Sequence, residues 1–76
     1  GNILIVEYTD RPGVLASITA HCAEASINIE DIHAPRDSEG KNAIAILLTD
    51  KLVPNAVVDK IRTVVNAHKA VSISIP

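Results

Sequence analysis

The stretch that decides the fold is ILIVEYT at residues 3–9, followed by DRPG at residues 10–13. Apolar residues occupy both alternating sets of positions at the start of the first run. This pattern predicts a strand that is buried on both faces and therefore central in its sheet. The DRPG segment ends the strand, and Pro12 suits the first turn of a helix, where no backbone N–H is needed. A central strand is thus expected to lead through a tight loop into a helix.

Two segments have the apolar spacing of amphipathic helices. The first runs from Val14 to near Ser26, and the second starts at Pro54. Each is expected to bury one apolar stripe and to turn polar side chains toward water. The stripes are Leu15, Ile18, Cys22 and Ala25 in the first helix, and Val57, Val58, Ile61, Val64 and Val65 in the second.

Three further segments have the pattern of strands. Residues 27–29 open a second strand, and a β-bulge near residues 30–31 is needed to keep its apolar positions in phase. A polar turn at residues 37–40 predicts a hairpin to a third strand, Asn42–Thr49, which is apolar on both faces and so central. Residues 71–75 alternate apolar side chains with serine, which predicts a half-exposed strand near an edge.

The predicted order of elements is β-α-β-β-α-β. With right-handed crossovers, this order leaves one simple answer, an α+β ferredoxin-like sandwich. Its four-stranded antiparallel sheet has the order 4-1-3-2, and two helices cover one face. Residues 1–76 are expected to form a single domain. The other face of the sheet also carries apolar residues, and a chain of 76 residues has nothing left to cover it.

Composition excludes several classes of function. A net charge of −2 argues against a surface for nucleic acid or anionic membranes, and a single aromatic residue, Tyr8, argues against base stacking. No apolar run is long enough for a membrane helix and no signal peptide is evident, so we expect a cytoplasmic protein. With one cysteine and a small core, self-association is the expected support. The chain has no methionine, and we expect it to be part of a longer protein.

No catalytic constellation is predicted. His21, His33 and His68 fall on separate elements without metal-ligand spacing, and Cys22 lies on an apolar helix stripe, where an inert thiol is expected. An acylphosphatase-like enzyme would share the topology, but its glycine-rich phosphate loop is missing. We therefore expect no enzyme activity, no metal and no cofactor in this segment.

The loop at residues 10–13 is the best candidate for a binding site. Backbone N–H groups of Gly13, Val14 and Leu15 would lie at the positive end of a helix, where a small carboxylate can bind. Gly13 has no side chain to keep a ligand from its backbone. The structural alternative is that Asp10 caps the helix, Pro12 starts it and Gly13 only relaxes a tight turn.

Asn28 is a second candidate. It lies among isoleucines at the start of the second strand, where its propensity is poor. Its amide either contacts a polar ligand or serves only as a turn residue after the helix.

Together these segments resemble the ACT domain, a small regulatory module that binds amino acids. The family pattern is D-x-P-G-v-L after strand one and g-[IV]-N-I before strand two. The segments DRPGVL at residues 10–15 and SINI at residues 26–29 match it. The chain departs from the pattern at Ser26, where the family often has glycine. The resemblance spans the whole chain. It is strongest to the C-terminal regulatory domain of the phosphoglycerate dehydrogenases, NAD-dependent oxidoreductases of serine biosynthesis, and next to the ACT domain of L-serine dehydratase.

The resemblance implies an allosteric domain that binds an amino acid, L-serine in both enzyme families, at the interface of a homodimer or higher oligomer. Asn28 would reach the ligand from the second copy. A histidine can stand at the position of Tyr8, which bears on serine selectivity. Two alternatives stay open: a dimerisation module without ligand, and a stand-alone amino-acid sensor. The residues implied in ligand binding are Tyr8, Asp10, Arg11, Pro12, Gly13, Val14, Leu15, Asn28 and Ile29.

Overall fold

The computed structural model describes residues 1–36 and 39–76. The sheet is antiparallel with the order β2-β3-β1-β4, which is the predicted order 4-1-3-2. The predicted turn at residues 37–40 includes two positions, 37 and 38, that lie outside the described residues. The elements are β1 (Asn2–Thr9), α1 (Val14–Glu24), β2 (Ile29–His33), β3 (Asn42–Thr49), α2 (Asn55–Val64) and β4 (Lys69–Ser74).

The core lies between one face of the sheet and the two helices. Alternate residues of the two central strands point into it, because successive strand side chains point to opposite faces. Each helix contributes its apolar stripe, including Ile18 from α1 and Ile61 from α2, both fully buried. The buried apolar residues of the two central strands on this face are Leu4, Val6 and Tyr8 of β1 with Ala43, Ala45 and Leu47 of β3.

The opposite face of the sheet has no covering element among the described residues. Leu48 and Ile73 on this face are 40% and 41% exposed. We call it the open face, and the cross-strand register assigns to it Ile3, Ile5, Glu7, Asp31, His33, Ile44, Ile46, Leu48, Lys69, Val71 and Ile73.

The predicted β-bulge in β2 is confirmed. The register of β2 against β3 shifts between Ile29 and Asp31, so one extra residue is accommodated there. The strand itself begins at Ile29, two residues later than predicted. Asn28 therefore lies just outside it, with its carbonyl accepting a hydrogen bond of 3.0 Å from the backbone N–H of Asp50.

Two predictions about the helices were wrong in detail. Pro12 is not in the first turn of α1, which begins at Val14 with Gly13 at the cap position. Val64 is 52% exposed and so does not belong to the buried stripe of α2. Neighbouring helix positions point about 100° apart, and it is Val65 that turns inward at this end of the helix.

Both helices end in a left-handed residue that is not glycine. Ser26 follows α1 with φ of 60°, and Asn66 follows α2 with φ of 52°. At each end the next residue bonds back across the last turn, from Ile27 N–H to Cys22 O and from Ala67 N–H to Arg62 O, at 2.9 Å in both cases. These are the bonds of a Schellman motif, in which glycine is usual because it has no Cβ to clash.

Replacing Ser26 with glycine is therefore expected to stabilise the domain. Serine in the left-handed region costs about 1 kcal/mol that glycine avoids, so the melting temperature of a domain this small should rise by roughly 4–8 °C. Asn66→Gly is the matched comparison and should gain less, because asparagine tolerates this conformation better. Thermal unfolding followed by circular dichroism measures both. A Ser26→Gly variant that melts no higher than the parent chain would contradict the assignment of strain.

Candidate functional site

The loop between β1 and α1 leaves the start of the helix open. Gly13 caps the helix with φ of 89°, and no side chain of a described residue bonds to the first turn. No hydrogen bond from the backbone N–H of Val14 or Leu15 to another described residue is found. Binding of a small anion by these donors stays a prediction, whereas the expected alternative of a capping bond from Asp10 is wrong.

Asp10 instead pairs with a residue that sequence reasoning missed. Its Oδ2 lies 2.6 Å from Nε of Arg36, with side-chain exposures of 22% and 63%. Its backbone N–H also donates to the carbonyl of Lys41 at 2.8 Å. Asp10 thus fastens the loop to both sides of the β2–β3 connection. Since the arginine is largely exposed, the pair itself contributes little to stability, at most about 1 kcal/mol.

Tyr8 lies beneath this ion pair. Its ring is almost fully buried, and the register places it beside Ala43, which in turn bridges to Arg36. Burial raises the pKa of the Tyr8 phenol, the Asp10 carboxylate raises it further, and the Arg36 guanidinium opposes both. The phenol therefore stays protonated at neutral pH and keeps a hydroxyl that can donate a hydrogen bond.

Two hollows border this region. A cavity of about 600 Å³, lined in part by Tyr8, Arg36 and His68, opens at the end of the sheet nearest the loop. A shallower hollow of about 210 Å³ lies against residues 11–14 and Ser17. The larger volume is within the range of small-molecule sites.

The remaining predicted loop residues have structural contacts. The guanidinium of Arg11 donates to the carbonyl of Thr9 at 2.9 Å and to the carbonyl of Val65, which holds the loop against the end of α2. The side chain of Val14 is buried and that of Leu15 packs on the core, so only their backbone faces the loop. Pro12 is exposed.

Asn28 and Ile29 lie at the opposite end of the sheet from the loop. Ile29 is paired with Thr49, and Thr49 is paired with Asn2 at the start of β1. The loop follows the other end of this strand of 8 residues, about 24 Å away. One chain therefore does not bring these two parts of the predicted site together.

The backbone of Asn28 is held while its side chain is free to contact a partner. Its N–H donates to Oδ1 of Asp50 at 2.9 Å, and its carbonyl accepts from the N–H of the same residue. The side chain is exposed, and no hydrogen bond joins its amide to another described residue.

The described residues contain no cluster of metal ligands and no helix that could span a membrane. His21 bonds to the carbonyl of Ser17, and His68 bonds to the hydroxyl of Thr9. Cys22 is fully buried, which raises the pKa of its thiol, as expected for an inert cysteine.

Comparison with known proteins identifies the class of this domain. The ACT domain family model matches residues 2–66, and the chain belongs to that family of regulatory amino-acid-binding domains. The resemblance stated from the sequence is thereby confirmed.

The most informative relative is a phosphoglycerate dehydrogenase. The chain is 38% identical over 66 residues to D-3-phosphoglycerate dehydrogenase of Mycobacterium tuberculosis strain H37Rv, a match that covers 87% of this chain and 12% of the relative. The chain thus spans about an eighth of the length of that enzyme.

Solved structures share the fold. A homoserine dehydrogenase from Thiobacillus denitrificans superposes with a TM-score of 0.72 at 32% identity, covering 95% of this chain and 16% of that one. A formyltetrahydrofolate deformylase from Pseudomonas putida KT2440 superposes with a TM-score of 0.78 at 11% identity, covering 97% and 28%. The second likeness shows the fold alone.

Proposed function

We propose that this domain senses L-serine and regulates a serine-metabolic enzyme of the phosphoglycerate dehydrogenase type, of which it is one part. Two copies pair through their β2 edges into an eight-stranded sheet, and the amino acid binds between the loop of one copy and Asn28 of the other. The domain itself needs no cofactor and performs no catalysis. We place it in the cytoplasm with its parent enzyme.

The observation that carries this proposal is the separation of the two parts of the site. The loop and Asn28 lie at opposite ends of the sheet, and β2 is an edge strand. When two β2 edges pair antiparallel, the start of one strand meets the end of the other. That pairing moves Asn28 of one copy toward the loop end of its partner, where a single chain cannot place it.

The chemistry of the loop suits a zwitterion. The open N–H groups at the start of α1 suit the carboxylate of an amino acid. The carboxylate of Asp10 suits its ammonium group, and the Tyr8 hydroxyl can donate a hydrogen bond to a polar side chain. Asn28 adds an amide that can pair with either charged group. Ligand binding then favours one relative orientation of the two copies, and the catalytic domains attached to them respond.

A second candidate is a dimerisation module without ligand. The observation in its favour is the ion pair between Asp10 and Arg36, because the carboxylate assigned to the ligand is already neutralised within the chain.

Isothermal titration calorimetry with L-serine and the other amino acids separates the two candidates. We expect one L-serine bound per chain, and a loss of affinity of about ten- to a hundredfold in Asp10→Asn, because a charge-assisted hydrogen bond is removed. Asp59→Asn, an exposed position on α2, is the matched control and should bind as the parent chain does. Absence of heat with every amino acid would favour the module without ligand.

A further inference from the structure

The open face is an apolar field with charges at two opposite corners. In the register, its side chains form three rows that run across the four strands. Neighbours within a row are one strand spacing apart, and successive rows are two residues apart along each strand. Seven aliphatic side chains fill the middle and one corner. Asp31 and His33 lie along the β2 edge, and Glu7 and Lys69 lie at the far end of β1 and β4.

We propose that a second copy of this chain stacks on the open face, with its strands roughly perpendicular, so that Lys69 of each copy meets Asp31 of the other and Glu7 meets His33. This surface is a face of the sheet and not the hydrogen-bonding edge of β2, and it goes beyond the proposed ligand site. Perpendicular stacking is one of the two usual ways in which sheets pack face to face.

Charge complementarity selects this arrangement from the alternatives. The field is nearly square, since three strand spacings and four residues along a strand both come to about 14 Å. A two-fold axis parallel to the strands would set Asp31 of one copy against Ile73 of the other. An axis perpendicular to the strands, in the plane of the sheet, would set Lys69 of one copy against Ile73 of the other. Both bury a charge against an aliphatic side chain.

The two diagonal axes differ in the charges that they pair. An axis through the Asp31 and Lys69 corners would set each of these residues against its own copy, with like charges in contact. The second diagonal axis runs from the corner at Ile73 to the corner beside Ile44. It sets the Asp31 corner of one copy against the Lys69 corner of the other. Opposite charges then meet at both ends of the interface, and aliphatic side chains meet between them.

The side chains of Glu7, Asp31 and Lys69 and the imidazole of His33 are available for such contacts. Glu7 and Lys69 are directly opposite on adjacent strands, yet no ion pair joins them within the described part of the chain. The carboxylate of Asp31 accepts only the N–H of Ile32 among the described residues, and no hydrogen bond joins the ring of His33 to another described residue. Other charged groups of the chain, such as Asp59 and Arg62, are paired internally.

Disulfide trapping tests the arrangement. Lys69→Cys and Asp31→Cys are made as separate variants and mixed under mild oxidation. Their positions in one chain are about 20 Å apart, too far for a disulfide, so a bond between them must join two chains. The native Cys22 is fully buried and does not compete. We expect the mixture to give a linked dimer at twice the chain mass of 8.1 kDa, containing one chain of each kind.

Two results would overturn the proposal. One is a mixture that yields no mixed dimer, and the other is Lys69→Cys linking to itself, which belongs to the like-charge diagonal. Asp31→Cys linking to itself while Lys69→Cys does not reports antiparallel pairing of β2 edges, because the like-charge diagonal would link both variants to themselves. The serine proposal is therefore judged by a different band.

Charge exchange provides a second measurement. Lys69→Glu alone should weaken self-association by at least about tenfold in sedimentation equilibrium without serine, and adding Asp31→Lys should restore it. Lys51→Glu, an exposed lysine in the β3–α2 connection, is the matched control and should leave association unchanged. A double variant that associates no better than Lys69→Glu would contradict the pairing.

Discussion

L-serine at 100 times its dissociation constant is expected to tighten pairing of the chains by about 2.7 kcal/mol for each occupied site, or roughly a hundredfold. The reason is mass action, since a ligand held between two copies binds only the pair. Asn28→Ala should lower serine affinity by about ten- to a hundredfold, because it removes an amide bonded to a charged group. Its pairing without serine should be unchanged, because the proposal assigns the exposed amide to the ligand gap and not to the pairing of the strands.

The measurement is the dissociation constant of the pair, with and without L-serine, by sedimentation equilibrium. Asn55→Ala, an exposed asparagine at the start of α2, is the matched control and should respond as the parent chain does. If serine leaves the parent constant unchanged, a bridging serine site is excluded. If Asn28→Ala and the parent chain respond equally, Asn28 is only a turn residue.

Gly13→Val is expected to abolish serine binding and also to destabilise the fold by about 1–3 kcal/mol. A Cβ at this position meets nothing within 4 Å, so the cost comes from the backbone φ of 89°, which a β-branched residue adopts only with strain. Ligand binding is lost because the added side chain occupies the approach to the first N–H groups of α1.

Gly40→Val separates the two effects. Gly40 also has a positive φ, 71°, and open space around its Cβ, but it lies outside the predicted site. It should lose a similar amount of stability and keep its serine affinity. Circular dichroism melting measures the stability of both variants, and calorimetry measures their serine affinity. Equal serine affinity in the two valine variants would remove Gly13 from the site.

Sequence patterns predicted β3 to the residue and placed the bulge in β2. Both follow from a strand periodicity that the hydrophobic core enforces, because a one-residue slip would turn apolar side chains to the wrong face. The exposure of Val64 was missed, because the side chains that are buried at the end of a helix depend on how the following segment packs. Its position in an apolar run carries no information about that.

The candidate site was predicted less completely. The open start of α1 follows from local chain geometry and was anticipated. Arg36 was missed because its partner Asp10 is distant in sequence, and only the order of strands in the sheet brings the two together. No periodicity marks Arg36, which follows the end of β2. A contact that depends on three strands cannot be found from the spacing of two residues.

The placement of Asn28 and the loop at opposite ends of one sheet has a consequence for dosage. Under the proposed pairing, each chain supplies the loop of one binding site and the Asn28 of another, and it completes neither site alone. The response to serine therefore depends on the concentration of the protein as well as on that of serine. The effects of mutations are distributed over the two sites in the same way. In a pair formed by one chain with a faulty loop and one with a faulty Asn28, both faults fall in one site, and the other site remains whole.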